Sequence, residues 1–167
     1  MIRDILQWPD RRLMTPAETV ATVTDEIRAI WADMIDTMEA MPGQGVGLAA
    51  PQIGVLQRLA VLDCSQERGQ AIRMANPEIV VASETRNAHE EASPCLPGVS
   101  AEITRPARVT VRFFNTEGEI EERAFDGLWA TSVQHQIDHL AGRMYFDNLS
   151  RLKRARLLKK AEKRRGR

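Results

Sequence analysis

Gln134-His135-Gln136-Ile137-Asp138-His139-Leu140-Ala141-Gly142 reads as the end of a helix that begins near Leu128, is entered through Asp126-Gly127 and is closed by Gly142, a residue suited to a C-terminal cap. The helix is apolar on several sides, so burial is expected. His135 and His139 stand four residues apart on one face, with Cβ atoms roughly 6 Å from each other, and both imidazoles can converge on one metal ion. Metal-dependent hydrolases with this spacing carry Glu beside the first histidine, because a carboxylate can take a proton from a metal-bound water and pass it to a leaving nitrogen. This chain has Gln136 there. A carboxamide orients a water but shuttles no proton near neutral pH. Asp138 is a candidate partner for a nearby Arg or for a ligand imidazole. Trp129, at the start of the helix, is expected in the core and not in a substrate pocket.

Working outward, Thr24 to Met41 places Ile27, Ile30, Trp31, Met34, Ile35, Met38 and Met41 at three- and four-residue intervals, with Asp25 and Glu26 in the first turn and Pro42-Gly43 as the stop. That pattern predicts an amphipathic helix packed on a core. Short β-type runs follow the glycine-rich Gly43 to Gly47: Arg58 to Asp63, Ala71 to Ala75, Glu78 to Ser83, Val99 to Ile103, Val109 to Phe114 and Glu119 to Phe125. The last two, joined through Asn115-Thr116-Glu117-Gly118, read as a hairpin. A third helix is expected from about Leu149 onward, with Leu152, Ala155, Leu158 and Ala161 or their neighbours on one stripe. Strands in runs with helices before, within and after them predict an α+β fold: mainly antiparallel sheets around a buried helix carrying His135 and His139, plus N-terminal and C-terminal helices.

A chain of 167 residues with 43% apolar content supports one domain with a real core. Residues 1–150 form that domain, and residues 151–167 are its basic C-terminal helix. The last seventeen residues hold ten Lys or Arg against Glu162 alone, which puts the tail at +9 and the body at −9. The tail is expected either to meet an anionic partner such as RNA or to fold back on the acidic body. Arg3, Asp4, Asp10, Arg11 and Arg12 interrupt the N-terminal stretch, and no apolar run reaches membrane-spanning length. The expectation is a cytoplasmic monomer with no membrane or DNA partner. Cys64 and Cys95 are expected as free thiols, since a domain of this size needs no disulfide framework. His89 is read as a loop residue, and neither it nor Cys64 is given a role.

Over most of its length the chain resembles the peptide deformylase family. Trp8-Pro9-Asp10-Arg11-Arg12-Leu13 is similar to the family's N-terminal entry, and Gly45-Val46-Gly47-Leu48-Ala49-Ala50-Pro51-Gln52 matches its first motif, Gly-x-Gly-x-Ala-Ala-x-Gln, at every fixed position. Asn76-Pro77-Glu78-Ile79 and Arg105-Pro106-Ala107-Arg108-Val109 fit the strands between motifs, and Gln134 to Gly142 fits the third motif, His-Glu-x-x-His, except at Gln136. The resemblance implies hydrolysis of the N-formyl group from the initiator methionine of new polypeptides, with Fe2+ or Zn2+ held by one Cys and two His. It implies His135 and His139 as metal ligands, Gln52 on the oxyanion side, Gln136 in the position of the family Glu, and Gly45, Val46 and Gly47 pairing with the formyl-methionyl peptide. It also implies an approach to the ribosome through the basic C-terminal helix.

The second motif departs from the pattern. The family reads Glu-Gly-Cys-Leu-Ser and, one residue on, Pro-Gly; this chain reads Glu90-Glu91-Ala92-Ser93-Pro94-Cys95-Leu96-Pro97-Gly98-Val99. Without gaps, the ligand Cys falls on Ser93, the oxyanion-donating residue on Pro94, and Cys95 takes the Ser position. A serine hydroxyl is a poor neutral ligand for these ions, and proline has no N–H to give. The other register makes Cys95 the ligand and the Leu96 backbone N–H the donor, at the expense of two added residues before the motif and two removed after it. The gapless register is preferred. It leaves two readings of function: a deformylase whose reaction is impaired or lost, and a non-catalytic module that binds nascent peptide and ribosome on the same scaffold.

Overall fold

The computed structural model describes residues 1–166; Arg167, the last basic residue of the tail, lies outside the described residues. In chain order the elements are α1 (Asp25–Glu39), β1 (Gly47–Ala49), β2 (Leu59–Leu62), β3 (Ile72–Ala82), β4 (Arg86–Glu91), β5 (Ala101–Pro106), β6 (Arg108–Phe114), β7 (Ile120–Asp126), α2 (Gly127–Leu140) and α3 (Arg151–Arg165). Five strands form an antiparallel sheet in the order β1-β2-β3-β6-β7, and β4 and β5 form a separate antiparallel pair. The fold is α+β with the histidine-bearing helix at its centre. The β6–β7 hairpin forms where the sequence places it.

α1 opens on Thr24, whose side chain accepts from the Ile27 N–H, and closes before Pro42-Gly43. It buries Ile27, Trp31, Met34 and Met38 against Leu48, Leu59 and Val61, each worth about 1.5–3 kcal/mol on removal from water. α2 presses Ala130 and Val133 onto Leu62, Met74, Val111 and Phe113 of the sheet. Gly142 ends it with φ +76°, and a Cβ there would fall 2.8 Å from the Met14 carbonyl. Glycine is therefore required both by the left-handed cap and by the close crossing of the N-terminal segment.

Three expectations are corrected. Ala71 to Ala75 and Glu78 to Ser83 belong to one strand, β3, whose pairing with β6 shifts register between Ala75 and Glu78. Asn76 there takes φ +50° and clasps Val20 through both its amide oxygen and its amide nitrogen, 2.8 Å each. Pro77 follows with no N–H to give the ladder, so the interruption is a bulge and not a loop. His89 lies in β4 and not in a loop; Arg86 to Glu91 alternates no apolar residue, so its strand was invisible to hydrophobic periodicity. In α3 the stripe is Leu157 and Ala161 with Leu158 half-buried, whereas Leu152 is 60% exposed and Ala155 is exposed. The basic side chains Arg151, Lys153, Arg156, Lys159, Lys160 and Lys163 face solvent. No described helix is long and apolar enough to cross a membrane.

Candidate functional site

A cavity of about 600 Å³ opens between β1, the loop after β4, and α2. Its walls include Gly45, Val46, Gly47, Gln52, Ser93, His135 and Gln136. β1 is the terminal strand of its sheet, and the segment before it is held from behind: the Gly45 carbonyl accepts from Arg68 at 2.7 Å, and the Val46 carbonyl accepts from Ser132 Oγ at 3.0 Å and from Asp63 N–H at 3.1 Å. The unpaired side of β1 can therefore receive an extended peptide by strand addition.

His135 is fixed by a chain of buried charges that the sequence reading did not assemble. Its Nδ1 lies 2.9 Å from Glu91 Oε1, and Glu91 is gripped by Arg105 through Nε at 2.7 Å and a terminal nitrogen at 2.9 Å. Arg105 also donates to Asp138 Oδ2 at 2.9 Å. Burial pushes the Glu91 carboxyl up, but the hydrogen bonds from His135 and Arg105 outweigh it and hold the group below the ordinary carboxylate range. An ionised Glu91 accepts a hydrogen bond from the Nδ1–H of His135, which leaves Nε2 of His135 as the nitrogen free for a ligand. Asp138 thus meets an Arg, as expected. Glu91 was visible only as an acid flanking the second motif, and Arg105 only as the first residue of the stretch Arg105-Pro106-Ala107-Arg108-Val109.

His139 is 1% exposed, with its ring centroid 5.0 Å from that of His135. Burial, then the neighbouring His135, push it well below the ordinary histidine value, so it is neutral; neither ring nitrogen has a partner among the described residues. Tyr145 stacks on His135 with centroids 5.7 Å apart. Burial pushes its phenol up to about 12. Trp129 stacks on Phe125 at 6.5 Å and packs with the core, away from the cavity.

The two histidines fit an ion; the third donor does not. Ser93 stands in the cavity wall, while Cys95 is fully buried in an apolar cluster with Leu13, Leu96, Met144 and Phe146. The loop locks it there. The Cys95 N–H donates to Ser93 Oγ at 3.2 Å, its carbonyl accepts from the Trp8 N–H at 2.8 Å, and its sulfur receives Gln52 Nε2 at 3.5 Å. Among the described residues no three His, Cys, Asp or Glu side chains converge as a metal site. Leu96, the alternative backbone donor, gives its N–H to the Ser93 carbonyl at 3.0 Å and is turned away from the cavity. This placement favours the gapless register, with Ser93 and not Cys95 or Leu96 in the cavity wall. Gln52 Oε1 accepts from the Ala49 N–H at 2.9 Å, which aims its NH2 across the cavity floor toward Cys95.

Burial pushes the Cys64 thiol up to about 12 and raises Cys95 as well. Both cysteines are free. Iodoacetamide at pH 8 is therefore expected to leave both unmodified in the folded protein and to label two sites in urea, as read by intact mass. Rapid labelling of Cys95 in the folded chain would contradict its place in the core.

Residues 2–155 match the model of the polypeptide deformylase family. This chain belongs to that family. It is 44% identical to a peptide deformylase of Methylocella silvestris over 97% of its own length and 84% of the relative's. It is 43% identical to a protein of Bradyrhizobium diazoefficiens named peptide deformylase-like, over 97% and 94% of the two chains. Among solved structures, a peptide deformylase from Legionella pneumophila superposes with a TM-score of 0.91 at 39% identity, covering 99% of this chain and 96% of that one. The family is one of metallohydrolases, which supplies the reference against which the altered donor set stands out.

Proposed function

We propose that this chain receives the formyl-methionyl N-terminus of a nascent peptide along β1, and that metal-dependent deformylation in it is impaired or lost. The observation that carries the reading is the placement of Ser93 in the cavity wall with Cys95 built into the core. Of the residues suited to Fe2+ or Zn2+, His135 and His139 remain. Pro94 supplies no backbone donor, and Gln136 supplies no group that exchanges a proton near neutral pH. The groove from Gly45 to Gln52 is unaltered, which favours retained binding.

The test is formate release from a formyl-Met tripeptide by protein prepared anaerobically with Fe2+ or Ni2+, with bound metal assayed in the same sample. Little metal and little formate are expected. Rapid turnover with stoichiometric metal would overturn the impairment.

The solvent-facing row on α3 suits the ribosome as a polyanionic partner in the cytoplasm. Changing Lys159, Lys160 and Lys163 to Glu spares the buried Leu157 and Ala161 that dock the helix. The variant is expected to lose salt-sensitive co-sedimentation with ribosomes, since each phosphate contact steepens the salt dependence of binding. Unchanged sedimentation would remove the ribosome as the partner of this face.

A further inference from the structure

We infer that the cavity holds the N-formyl head of a peptide by hydrogen bonds from Gln136, Gln52 and Ser93, with no ion required. The inference rests on the groove reading above and adds to it how the head group is read.

Gln136 is 4% exposed and lines the cavity, yet its Oε1 has no partner among the described residues. Its Nε2 lies against Gly47, where an added Cβ would fall 2.6 Å away. The carboxamide is therefore seated on β1 with a buried acceptor unsatisfied, an arrangement that a ligand N–H relieves. A formamide presents one N–H and one carbonyl. The N–H meets Gln136 Oε1. The carbonyl meets Gln52 Nε2, whose acceptor among the described residues is the weak one on Cys95 sulfur, and the Ser93 hydroxyl, whose oxygen receives the Cys95 N–H and whose proton turns from the Cys95 sulfur to the ligand.

The same groups disfavour a free α-amine. A deformylated terminus brings an ammonium and no carbonyl. The negative charge nearest the histidines, on Glu91, is already spent on Arg105 and His135. A glutamate at position 136 would have put a charge beside the head; the neutral amide instead matches donor to acceptor there, with the Glu90 carboxylate standing elsewhere in the cavity wall. Two members of this set, Gln136 and Ser93, are the positions where the chain departs from the deformylase motifs. The exchanges that remove the chemistry thus supply the hydrogen bonds that retain the intact formyl group.

Calorimetry on the full chain, dialysed against EDTA, tests this with formyl-Met-Ala-Ser and Met-Ala-Ser. The formyl peptide is expected to bind about tenfold more tightly or better, at least one hydrogen bond's worth, with a Kd unchanged by the chelator. Gln136→Met, similar in size without the amide, is expected to erase the preference while leaving the thermal melt in place. Formyl-peptide binding that appears only after loading with Fe2+, Ni2+ or Zn2+ would overturn the ion-free head contact and leave the groove reading standing. Equal ion-free binding of both peptides would likewise overturn it. If neither peptide binds with or without metal, the groove reading itself fails.

Discussion

The triple variant Ser93→Cys, Pro94→Leu, Gln136→Glu is expected to release formate from a formyl-Met tripeptide at least about 10²- to 10⁴-fold faster than the unaltered chain, the range that a positioned general acid/base alone contributes. Each exchange answers one deficit. Cys at 93 places a thiolate in the wall that already holds His135, whose ring centroid lies 5.0 Å from that of His139. Leu at 94 restores a backbone N–H that proline lacks. Glu at 136 restores a group that can move a proton. The components separate by measurement. Ser93→Cys alone should raise bound Co2+ to one equivalent and produce a thiolate-to-cobalt charge-transfer band, while leaving formate release low. Gln136→Glu alone should do neither. A thiolate band in the unaltered chain that disappears in Cys95→Ser would show that Cys95 reaches the ion after all, and the account of the site would be wrong.

The features legible in the sequence were those written in short-range pattern. The three-and-four spacing from Ile27 to Met38 gave α1 to within a residue or two, and the four-residue interval between His135 and His139 placed both rings on one side of α2. The hairpin announced itself through Asn115 to Gly118. β4 gave no such signal, because a two-stranded pair with mostly solvated faces needs no apolar alternation. The Asn76-Pro77 bulge was hidden for a different reason: its stabilising bonds run to Val20, far away in the chain.

The second motif shows the limit most clearly. Local pattern left two registers open there, and contacts from three other segments favour one of them. The Trp8 N–H pins the Cys95 carbonyl, Arg105 and His135 fix Glu91, and the core around Leu13 and Phe146 receives the sulfur. None of those partners can be read from residues 90–99 alone. The position of a donor atom at such a site is a property of packing, and only its residue type is a property of the motif.

The same network carries the second large expectation. Arg105→Leu is expected to destabilise the protein by about 3–5 kcal/mol in urea unfolding at pH 7, the range for removing one partner of a buried ion pair. Arg105 and Glu91 have side chains only 8% and 3% exposed, so the carboxylate left behind has little access to water. The double variant Arg105→Leu, Glu91→Leu should be less destabilised than the single one, because it removes the stranded charge. The pH dependence follows from the direction of the Glu91 shift. In the intact network the carboxyl sits below its ordinary 4.5, so its contribution is present above that value and is lost as pH falls through the folded value. Without Arg105 the burial that opposes ionisation loses one of its two counterweights, and the carboxyl moves upward. The single variant is then penalised most above pH 4.5, and its deficit against the parent should shrink as acid protonates Glu91. A deficit that stays constant from neutral to acid pH would mean that packing of the Arg105 side chain, and not the stranded carboxylate, accounts for the loss.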